Sequence, residues 1–275
     1  MNSDSWEVPE YTVHEFTERR TKYCVCVPVI NEGEKIKKQL QAMLEYSDIA
    51  DILILDGGST DNSLNHEFLK KMNVSALLTK KGPGKLSAQL RMGFAYSLLR
   101  GYEGVITVDG NNKDSVVNIV DFVRELEQGT DFVQGSRYVP GGKEFNTPLI
   151  RKIAIKLIHA PVISLLARFR YTDTTNGFRA HSKRFLADER LNPFRDEFAT
   201  YELLAYLSVK APRLGFSTKE IPVTRSYPSS GKVPTKISPL KGNLLLLKIL
   251  LYLALGKYDV NSMAVKHSHQ MPKQG

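Results

Sequence analysis

Val105-Ile106-Thr107-Val108-Asp109-Gly110-Asn111 decides the fold, because an apolar run ends there in a carboxylate and an amide. A short, continuous apolar run is typical of a strand buried on both faces in a parallel sheet. A second run, Ile52-Leu53-Ile54-Leu55, ends in Asp56 in the same way. Open α/β sheets bind ligands beyond the carboxyl ends of their strands. We therefore expect Asp56 and Asp109 to face one crevice.

Apolar strands and helix-like segments alternate from Tyr23 onward. Strands are predicted over 23–29, 51–55, 74–79, 105–108 and 131–135, and helices over 34–46, 61–72, 85–100 and 115–127. Such alternation predicts an α/β fold with a mostly parallel central sheet and helices on both faces. We expect an N-terminal arm or edge strand over 1–22, the main domain over 23–236 and a C-terminal amphipathic segment over 237–275.

The composition is that of a folded protein. The chain has 275 residues, of which 42% are hydrophobic and 24% charged, and this balance excludes disorder and a membrane-embedded bundle. Cys24 and Cys26 lie two apart on one predicted strand, where they are poorly placed to form a disulfide. Because the N-terminus is polar and lacks a signal-peptide pattern, a reducing, cytoplasmic setting is expected.

Basic charge is concentrated in two stretches. The net charge is +9, yet residues 137–184 carry +8 and residues 232–275 carry +6, so the remainder is acidic. Apolar residues repeat at helical spacing over 150–169, with a bend expected near Pro161, and again over 244–255. The second run is shorter than the roughly 20 residues that span a bilayer. Cationic amphipathic helices of this kind favour peripheral attachment to an anionic membrane surface.

Other roles are open to these two basic stretches. Both helices would equally suit packing against the core or against a second subunit of a homo-oligomer. Nucleic acid is disfavoured as a partner, because the basic residues are interleaved with Leu and Ile rather than with the aromatic residues of a nucleic-acid groove.

Six short motifs follow one another along the chain. They are VPVINE (27–32), LDGGSTD (55–61), VDGN (108–111), GSRY (135–138), DTTNGFR (173–179) and EIPV (220–223). Their order over about residues 23–240 resembles the family 2 glycosyltransferases of the GT-A fold. Within that family it resembles the polyprenyl-phosphate sugar synthases of the dolichyl-phosphate mannose synthase type. The resemblance makes 23–236 a catalytic domain, in which 137–184 contributes the acceptor- and membrane-facing helix.

The resemblance implies a UDP- or GDP-sugar as donor. It places Pro28, Asn31 and Glu32 at the base and ribose, and Asp56 at a base N–H group. Lys85, Gly110 and Lys113 would lie near the nucleotide and its diphosphate, with Asp109 at the ribose and donor sugar. In a purely structural role, Asp56 and Asp61 would serve the turn between them, because 57–61 has good turn chemistry.

The resemblance also implies Mg²⁺ or Mn²⁺ bound by Asp109 and Asn111. The family has Asp-x-Asp here, whereas this chain replaces the second acid with Asn111 and places Lys113 just downstream. Because Mg²⁺ prefers anionic oxygen ligands, the ion should bind loosely and only with the donor, or ammonium groups should replace it. Asp114 is a further candidate ligand, and a metal-assisted enzyme is the favoured expectation.

The expected acceptor is a polyprenyl phosphate, either dolichyl or undecaprenyl. A phosphate arrives ionised and needs cations, whereas a hydroxyl acceptor needs a general base. By resemblance the catalytic cations are Arg137, Arg179, Arg225 and Lys236, with Lys232 a competitor for the last, and Asp173 lies between donor sugar and acceptor.

The expected activity is inverting transfer at the cytoplasmic face of a membrane. One alternative is transfer to a hydroxyl of a lipid-linked or polymeric glycan, for which Asp173 and Glu202 are candidate bases. The other is a catalytically silent sugar-nucleotide-binding protein, which the exchange to Asn111 and Lys113 makes conceivable.

Overall fold

Ten strands and nine α-helices were found in the part of the chain that the computed structural model describes, residues 5–228 and 239–260. The strands are β1 (Tyr11–Glu15), β2 (Tyr23–Val29), β3 (Asp51–Asp56), β4 (Val74–Lys80), β5 (Gly104–Thr107), β6 (Phe132–Ser136), β7 (Lys143–Phe145), β8 (Arg179–Ser182), β9 (Thr218–Pro222) and β10 (Thr224–Ser226). The helices are α1 (Glu34–Met43), α2 (His66–Lys71), α3 (Leu86–Leu99), α4 (Ile119–Glu127), α5 (Leu149–Ala154), α6 (Ala160–Ala167), α7 (Lys183–Leu186), α8 (Glu202–Arg213) and α9 (Pro239–Ala254).

Eight of these strands form one sheet in the order β1-β4-β3-β2-β5-β8-β6-β9. The four neighbours β4, β3, β2 and β5 are parallel, and so are β6 and β9. β8 runs antiparallel between β5 and β6, and β1 runs antiparallel along β4. The predicted mostly parallel sheet is therefore confirmed, and the 1–22 segment contributes its edge strand. β7 and β10 form a separate parallel pair.

Both faces of the sheet are covered. Cys24 and Cys26 point to one face, where α3, α8 and α9 supply the core, while Val25 and Val27 point to the other, against α1 and α4. Alternation of side chains along a strand produces this division. Both cysteines are buried and unbridged, and burial raises the pKa of Cys24 well above its usual value.

The predicted helix over 61–72 begins five residues later than expected. Asn62 adopts a left-handed conformation (φ 56°), which extends the turn after β3. The side chain of Asn65 then accepts a hydrogen bond from the backbone N–H of Phe68 at 3.2 Å and caps α2.

The first amphipathic segment is a continuous helix with one irregular turn. A π-helical turn at Ile155–His159 joins α5 to α6, and the second residue of α6 is Pro161, which cannot donate a backbone hydrogen bond. Ile163 and Ala167 face inward. Apolar residues of this segment, of α9 and of the position directly after α9 that remain exposed are Leu149, Ile150, Ile153, Leu157, Ile158, Leu165, Leu244, Leu247, Leu251 and Leu255. Among the described residues, no helix is both long and apolar enough to cross a membrane.

Candidate active site

Asp56 and Asp109 lie at the same edge of the sheet. β3 ends at Asp56, and Asp109 follows β5 by two residues, with β2 between these strands. Neighbouring strands are about 4.8 Å apart, so the two strand ends are separated by roughly 10 Å. This distance is suited to a ligand that extends from one acid to the other.

Hydrogen bonds from outside the strands hold this edge together. Gln89 on α3 donates through Nε2 to the carbonyls of Val29 (2.9 Å) and Leu55 (2.7 Å), and so joins β2 to β3. The backbone N–H of Gly110 donates to Pro28 at 3.3 Å. A Cβ atom on Gly110 would lie 2.8 Å from Val29 Cγ2, so only glycine fits. Gln89 was not predicted, because α3 contains several polar residues and nothing in the sequence distinguishes this one.

The loops after β2 and β3 are tied to each other beside Asp56. Asn31 Oδ1 accepts from the backbone N–H of Thr60 at 2.7 Å, and Asp61 Oδ2 accepts from Gly33 at 2.9 Å. Asp56 Oδ1 accepts from Gly58 (3.1 Å) and Ser59 (2.8 Å). Asp61 therefore has the structural role that turn chemistry indicates.

The other predicted nucleotide residues lie at the same edge of the sheet. Pro28 is half-buried near the end of β2, and Glu32 pairs with Lys35 at 3.6 Å. Lys85 is exposed on the loop between β4 and α3, with its backbone N–H donating to Ala199 at 2.7 Å. Since β4 is the neighbour of β3, Lys85 belongs to the same edge as Asp56.

Arg225 connects the two acids that follow β5. Its Nη2 atom donates to Asp109 Oδ2 at 2.9 Å, and its Nη1 atom donates to Asp114 Oδ2. The side chain of Asp114 is 0% exposed, that of Arg225 7% and that of Asp109 27%. Burial raises the pKa of Asp114. Burial would also raise the pKa of Asp109, but Arg225 and Lys113 lower it below its ordinary value.

The 173–179 motif forms the wall beside this ion-pair cluster. A Cβ atom on Gly177 would lie 2.6 Å from Asp109 Oδ1, so a larger residue here would displace the carboxylate. Asn176 Oδ1 accepts from the backbone N–H of Phe178 at 3.0 Å and lies 3.5 Å from Arg225 Nη1. Asn176 Nδ2 is buried and has no partner within residues 5–228 and 239–260. A buried amide donor beside Asp109 and Arg225 is suited to a ligand oxygen.

Asp173 is locked in a bidentate ion pair. Arg137 donates to it through Nε (2.6 Å) and Nη2 (2.9 Å), and both side chains are buried. Burial raises the pKa of Asp173, but the hydrogen bonds from Arg137 lower it below its usual value. Glu220 accepts the backbone N–H groups of Thr172 and Asp173 and so fixes the loop. Arg137 Nη1 is buried without a partner among the described residues.

Tyr227 gathers three cations around one ring. Lys113 Nζ lies 5.0 Å from the ring centroid, and the guanidinium carbons of Arg151 and Arg225 lie 5.7 and 5.8 Å away. The Tyr227 hydroxyl also accepts from Arg151 Nη1 at 3.1 Å. Arg151 belongs to α5, so the amphipathic segment contacts the cluster directly. Neither Tyr227 nor Arg151 was predicted, although Arg151 lies in the basic stretch 137–184 and Tyr227 lies five residues before the second one.

Three predictions need correction or fall outside the structure. Arg179 is 1% exposed and donates to the carbonyls of Asn176 (2.9 Å) and Thr174 (2.8 Å), so the predicted phosphate contact is wrong. Its pKa is lowered to about 10 by burial. Glu202 is buried and caps its own turn by accepting from the backbone N–H of Thr200 at 2.7 Å. Lys232 and Lys236 lie outside the described residues.

The predicted metal ligands do not form a metal site in this arrangement. Asn111 turns its Nδ2 donor toward Asp109 Oδ2, at 3.5 Å, and the same carboxylate oxygen accepts from Arg225. Asp114 is fully buried in its own ion pair. Within the described residues, no cluster of three or more His, Cys, Asp or Glu side chains could hold a metal ion.

Comparisons with known proteins identify the family of this chain. The model of the family "Glycosyl transferase family 2" matches residues 24–190. The polyprenol monophosphomannose synthase of Mycolicibacterium smegmatis is 28% identical over 206 residues, which cover 73% of this chain and 76% of that protein. The undecaprenyl-phosphate mannosyltransferase of Micrococcus luteus is 27% identical over 203 residues, covering 72% and 81%.

Solved structures show the same fold at low sequence identity. Glucosyl-3-phosphoglycerate synthase from Mycobacterium tuberculosis, in complex with Mn²⁺, UDP and phosphoglyceric acid, aligns with a TM-score of 0.62 and 14% identity. The alignment covers 88% of this chain and 80% of that one. Fold and site together define a glycosyltransferase with a GT-A type fold. The chain belongs to glycosyl transferase family 2.

Proposed function

We propose that this protein transfers a sugar, with inversion, from a UDP- or GDP-sugar to a polyprenyl phosphate at the cytoplasmic face of a membrane. The relatives' names carry polyprenol and undecaprenyl phosphate acceptors and the sugar mannose. Mannose is therefore the first sugar to test on this chain.

The observation that carries the proposal is the locked state of Asp173. A general base must accept a proton from the attacking hydroxyl. Both oxygens of Asp173 instead accept hydrogen bonds from Arg137, and the pKa of Asp173 is lowered. Such a carboxylate is a weak base. A phosphate acceptor is already ionised and needs no base, so this arrangement favours it over a hydroxyl acceptor.

Cations lie next to the strand ends, where sugar transfer from a nucleoside diphosphate requires positive charge. Negative charge develops on the leaving diphosphate during transfer, and preorganised positive groups stabilise it. Lys113 and Arg225 lie beside Asp109, and Arg151 and Arg137 extend the positive region toward α5. We propose that Lys113 and Arg225 bind the diphosphate of the donor and that Arg151 and Arg137 bind the acceptor phosphate. No step is assigned to a metal ion, because the side chains around Asp109 do not fit one.

The exposed apolar surface indicates how a lipid acceptor would be reached. The membrane-facing surface, as we define it, consists of the exposed Leu and Ile residues of α5, the π turn, α6 and α9 named above. Lys152 and Lys156 flank it on α5 and the π turn, and Arg168 and Arg170 lie at the end of α6. Apolar side chains bordered by Lys and Arg are suited to the interface of an anionic bilayer.

The test is transfer of radiolabelled sugar from UDP- and GDP-hexoses, GDP-mannose among them, to undecaprenyl or dolichyl phosphate. We expect a labelled product that is extracted into organic solvent and whose anomeric configuration is inverted relative to the donor. Label appearing only in water-soluble glycan would contradict the lipid phosphate acceptor. Nucleotide binding without turnover or donor hydrolysis would instead support the silent binding protein.

A further inference from the structure

We infer that Arg225 and Lys113 take the place of a divalent metal ion at the diphosphate site, so that donor binding needs no metal. This inference rests on the proposed function, because it concerns the same nucleotide-diphosphate site. It follows from the ion pair of Asp109 with Arg225, from the second ion pair of Arg225 with Asp114, and from the position of Lys113 beside them.

The carboxylate predicted to bind a metal already has a cationic partner. Arg225 Nη2 lies 2.9 Å from Asp109 Oδ2, at the separation of a charge-assisted hydrogen bond. The neighbouring Asn111 presents an amide donor to the same oxygen. A divalent ion on this oxygen would have to displace the guanidinium and reverse the amide.

Arg225 is anchored from two sides. Its other terminal nitrogen pairs with Asp114, whose side chain is 0% exposed, and a β-bridge joins the backbones of these two residues. Withdrawing the guanidinium would leave Asp114 as a buried charge without a partner, which is strongly unfavourable. The positive charge beside Asp109 is therefore a fixed part of the fold.

Lys113 adds a second fixed cation at this point. Its backbone carbonyl accepts from the N–H of Ser226 at 2.8 Å, and its ammonium group lies 5.0 Å from the centre of the Tyr227 ring. Lys113 is 7% exposed, so solvent screens its charge only weakly. Lys113 and Arg225 together supply two positive charges beside Asp109, which is the charge that Mg²⁺ or Mn²⁺ would supply.

The first experiment measures the affinity of the unmodified protein for UDP and GDP by calorimetry. One series contains EDTA and the other an excess of Mn²⁺. We expect the dissociation constant of the nucleotide that binds to agree within about threefold between the two series. A tightening of about tenfold or more in Mn²⁺ would overturn the inference while leaving the proposed function intact. Failure of both nucleotides to bind in either series would overturn the proposed function itself, and the inference with it.

The second experiment tests the residues with two variants and one control. Lys113→Gln should weaken nucleotide binding in EDTA by about tenfold, because a charge-assisted contact is lost. Lys71→Gln, which removes an exposed lysine on α2, should leave it unchanged. The double variant Asn111→Asp/Lys113→Gln restores a second carboxylate and removes the cation, so we expect Mn²⁺ to tighten its binding by at least about tenfold.

Electron paramagnetic resonance of Mn²⁺ without nucleotide gives a readout that does not depend on activity. The double variant should bind Mn²⁺, and the unmodified protein should bind it at least about tenfold more weakly. Equal Mn²⁺ affinity of the two proteins would contradict the inference. Thermal melts of each variant verify that a change in affinity does not come from unfolding.

Discussion

Around Asp109, opposite charges alternate between neighbouring side chains. Asp109, Arg225 and Asp114 form two linked ion pairs, and Lys113 lies on the ring of Tyr227 beside them. Buried ion pairs add little net stability, because removing charges from water is costly. Desolvated and mutually perturbed charges at a strand edge are typical of functional sites. We therefore interpret the cluster as preformed charge for an anionic substrate.

Replacing Asp56 tests its predicted role in donor binding. One oxygen of Asp56 accepts two backbone N–H groups of the following turn, and the predicted partner of the carboxylate is a base N–H group. Asp56→Ala should weaken donor binding by about tenfold or more, as expected for a lost hydrogen bond to a charged group. Calorimetry with UDP and GDP measures this change. Asp48→Ala, at an exposed carboxylate, is the matched control and should bind normally.

The pair of Arg137 and Asp173 should be essential for stability as well as for transfer. Arg137→Leu leaves the 0%-exposed carboxylate of Asp173 without its cation, so the free energy of unfolding should fall by about 3–5 kcal/mol. Urea unfolding measures this loss. The double variant Arg137→Leu/Asp173→Asn removes the stranded charge and should recover part of it. A double variant less stable than Arg137→Leu would show that the two side chains are not coupled in this way.

At the scale of elements, strands β2 to β6 were predictable from the sequence and strands β7 to β10 were not. β2, β3, β4 and β5 are largely apolar runs between turn signals, β6 begins with Phe132 and Val133, and each of the five was predicted to within one residue of its bounds. β7, β8, β9 and β10 carry charged or small residues such as Lys143 and Arg179. None of the four has an apolar pattern, so periodicity did not predict them, although β8 begins in the 173–179 motif and β9 overlaps the 220–223 motif.

We expect the membrane-facing surface to attach the protein to anionic vesicles. Leu157 and Leu165 are 72% and 79% exposed, which is unusual for side chains that gain about 1.5–3 kcal/mol on leaving water. The double variant Leu157→Glu/Leu165→Glu should therefore bind anionic vesicles at least about tenfold more weakly in a sedimentation assay.

A substitution elsewhere on the surface controls for added charge. Leu99 at the end of α3 is 62% exposed but lies outside the membrane-facing surface, so Leu99→Glu should bind vesicles normally. Equal vesicle binding by all three proteins would place the attachment elsewhere. A change of oligomeric state in the double variant would instead indicate that the surface contacts a second subunit.

In the molecule as a whole, the strand edge that carries Asp56 and Asp109 is linked to the amphipathic segment through Tyr227. Arg151 extends from the amphipathic segment to the Tyr227 hydroxyl, and Lys113 reaches the same ring from the loop after β5. His159, in the π turn, lies 2.7 Å from the hydroxyl of Thr174, next to Asp173. The helix that would lie on the bilayer is thus hydrogen-bonded to the loop that holds the predicted acceptor site.

Sequence analysis located the edge of this site better than its contacts. Strand ends could be inferred from apolar runs, so the placement of Asp56 and Asp109 was predictable. Which cation neutralises which acid depends on residues more than one hundred positions apart, as for Arg225 with Asp109. Arg179 illustrates the limit, because a motif position does not reveal whether a guanidinium faces a ligand or the carbonyls of its own loop.

Acid should destabilise the whole fold through a buried histidine. His181 lies among Phe94, Phe132 and Phe185, is 0% exposed, and burial lowers its pKa to about 3. The unfolded chain takes up this proton below about pH 6.5, so the stabilisation is complete above that pH and is lost as the pH falls. Between about pH 6 and 4 His181 should account for a fall of about 1.4 kcal/mol in unfolding free energy per pH unit.

His181→Phe should lower the slope of unfolding free energy against pH by that amount, as measured by urea unfolding at several pH values. His66→Gln, at an exposed histidine, should not change it, and identical slopes in all three proteins would show that His181 is protonated in the folded state.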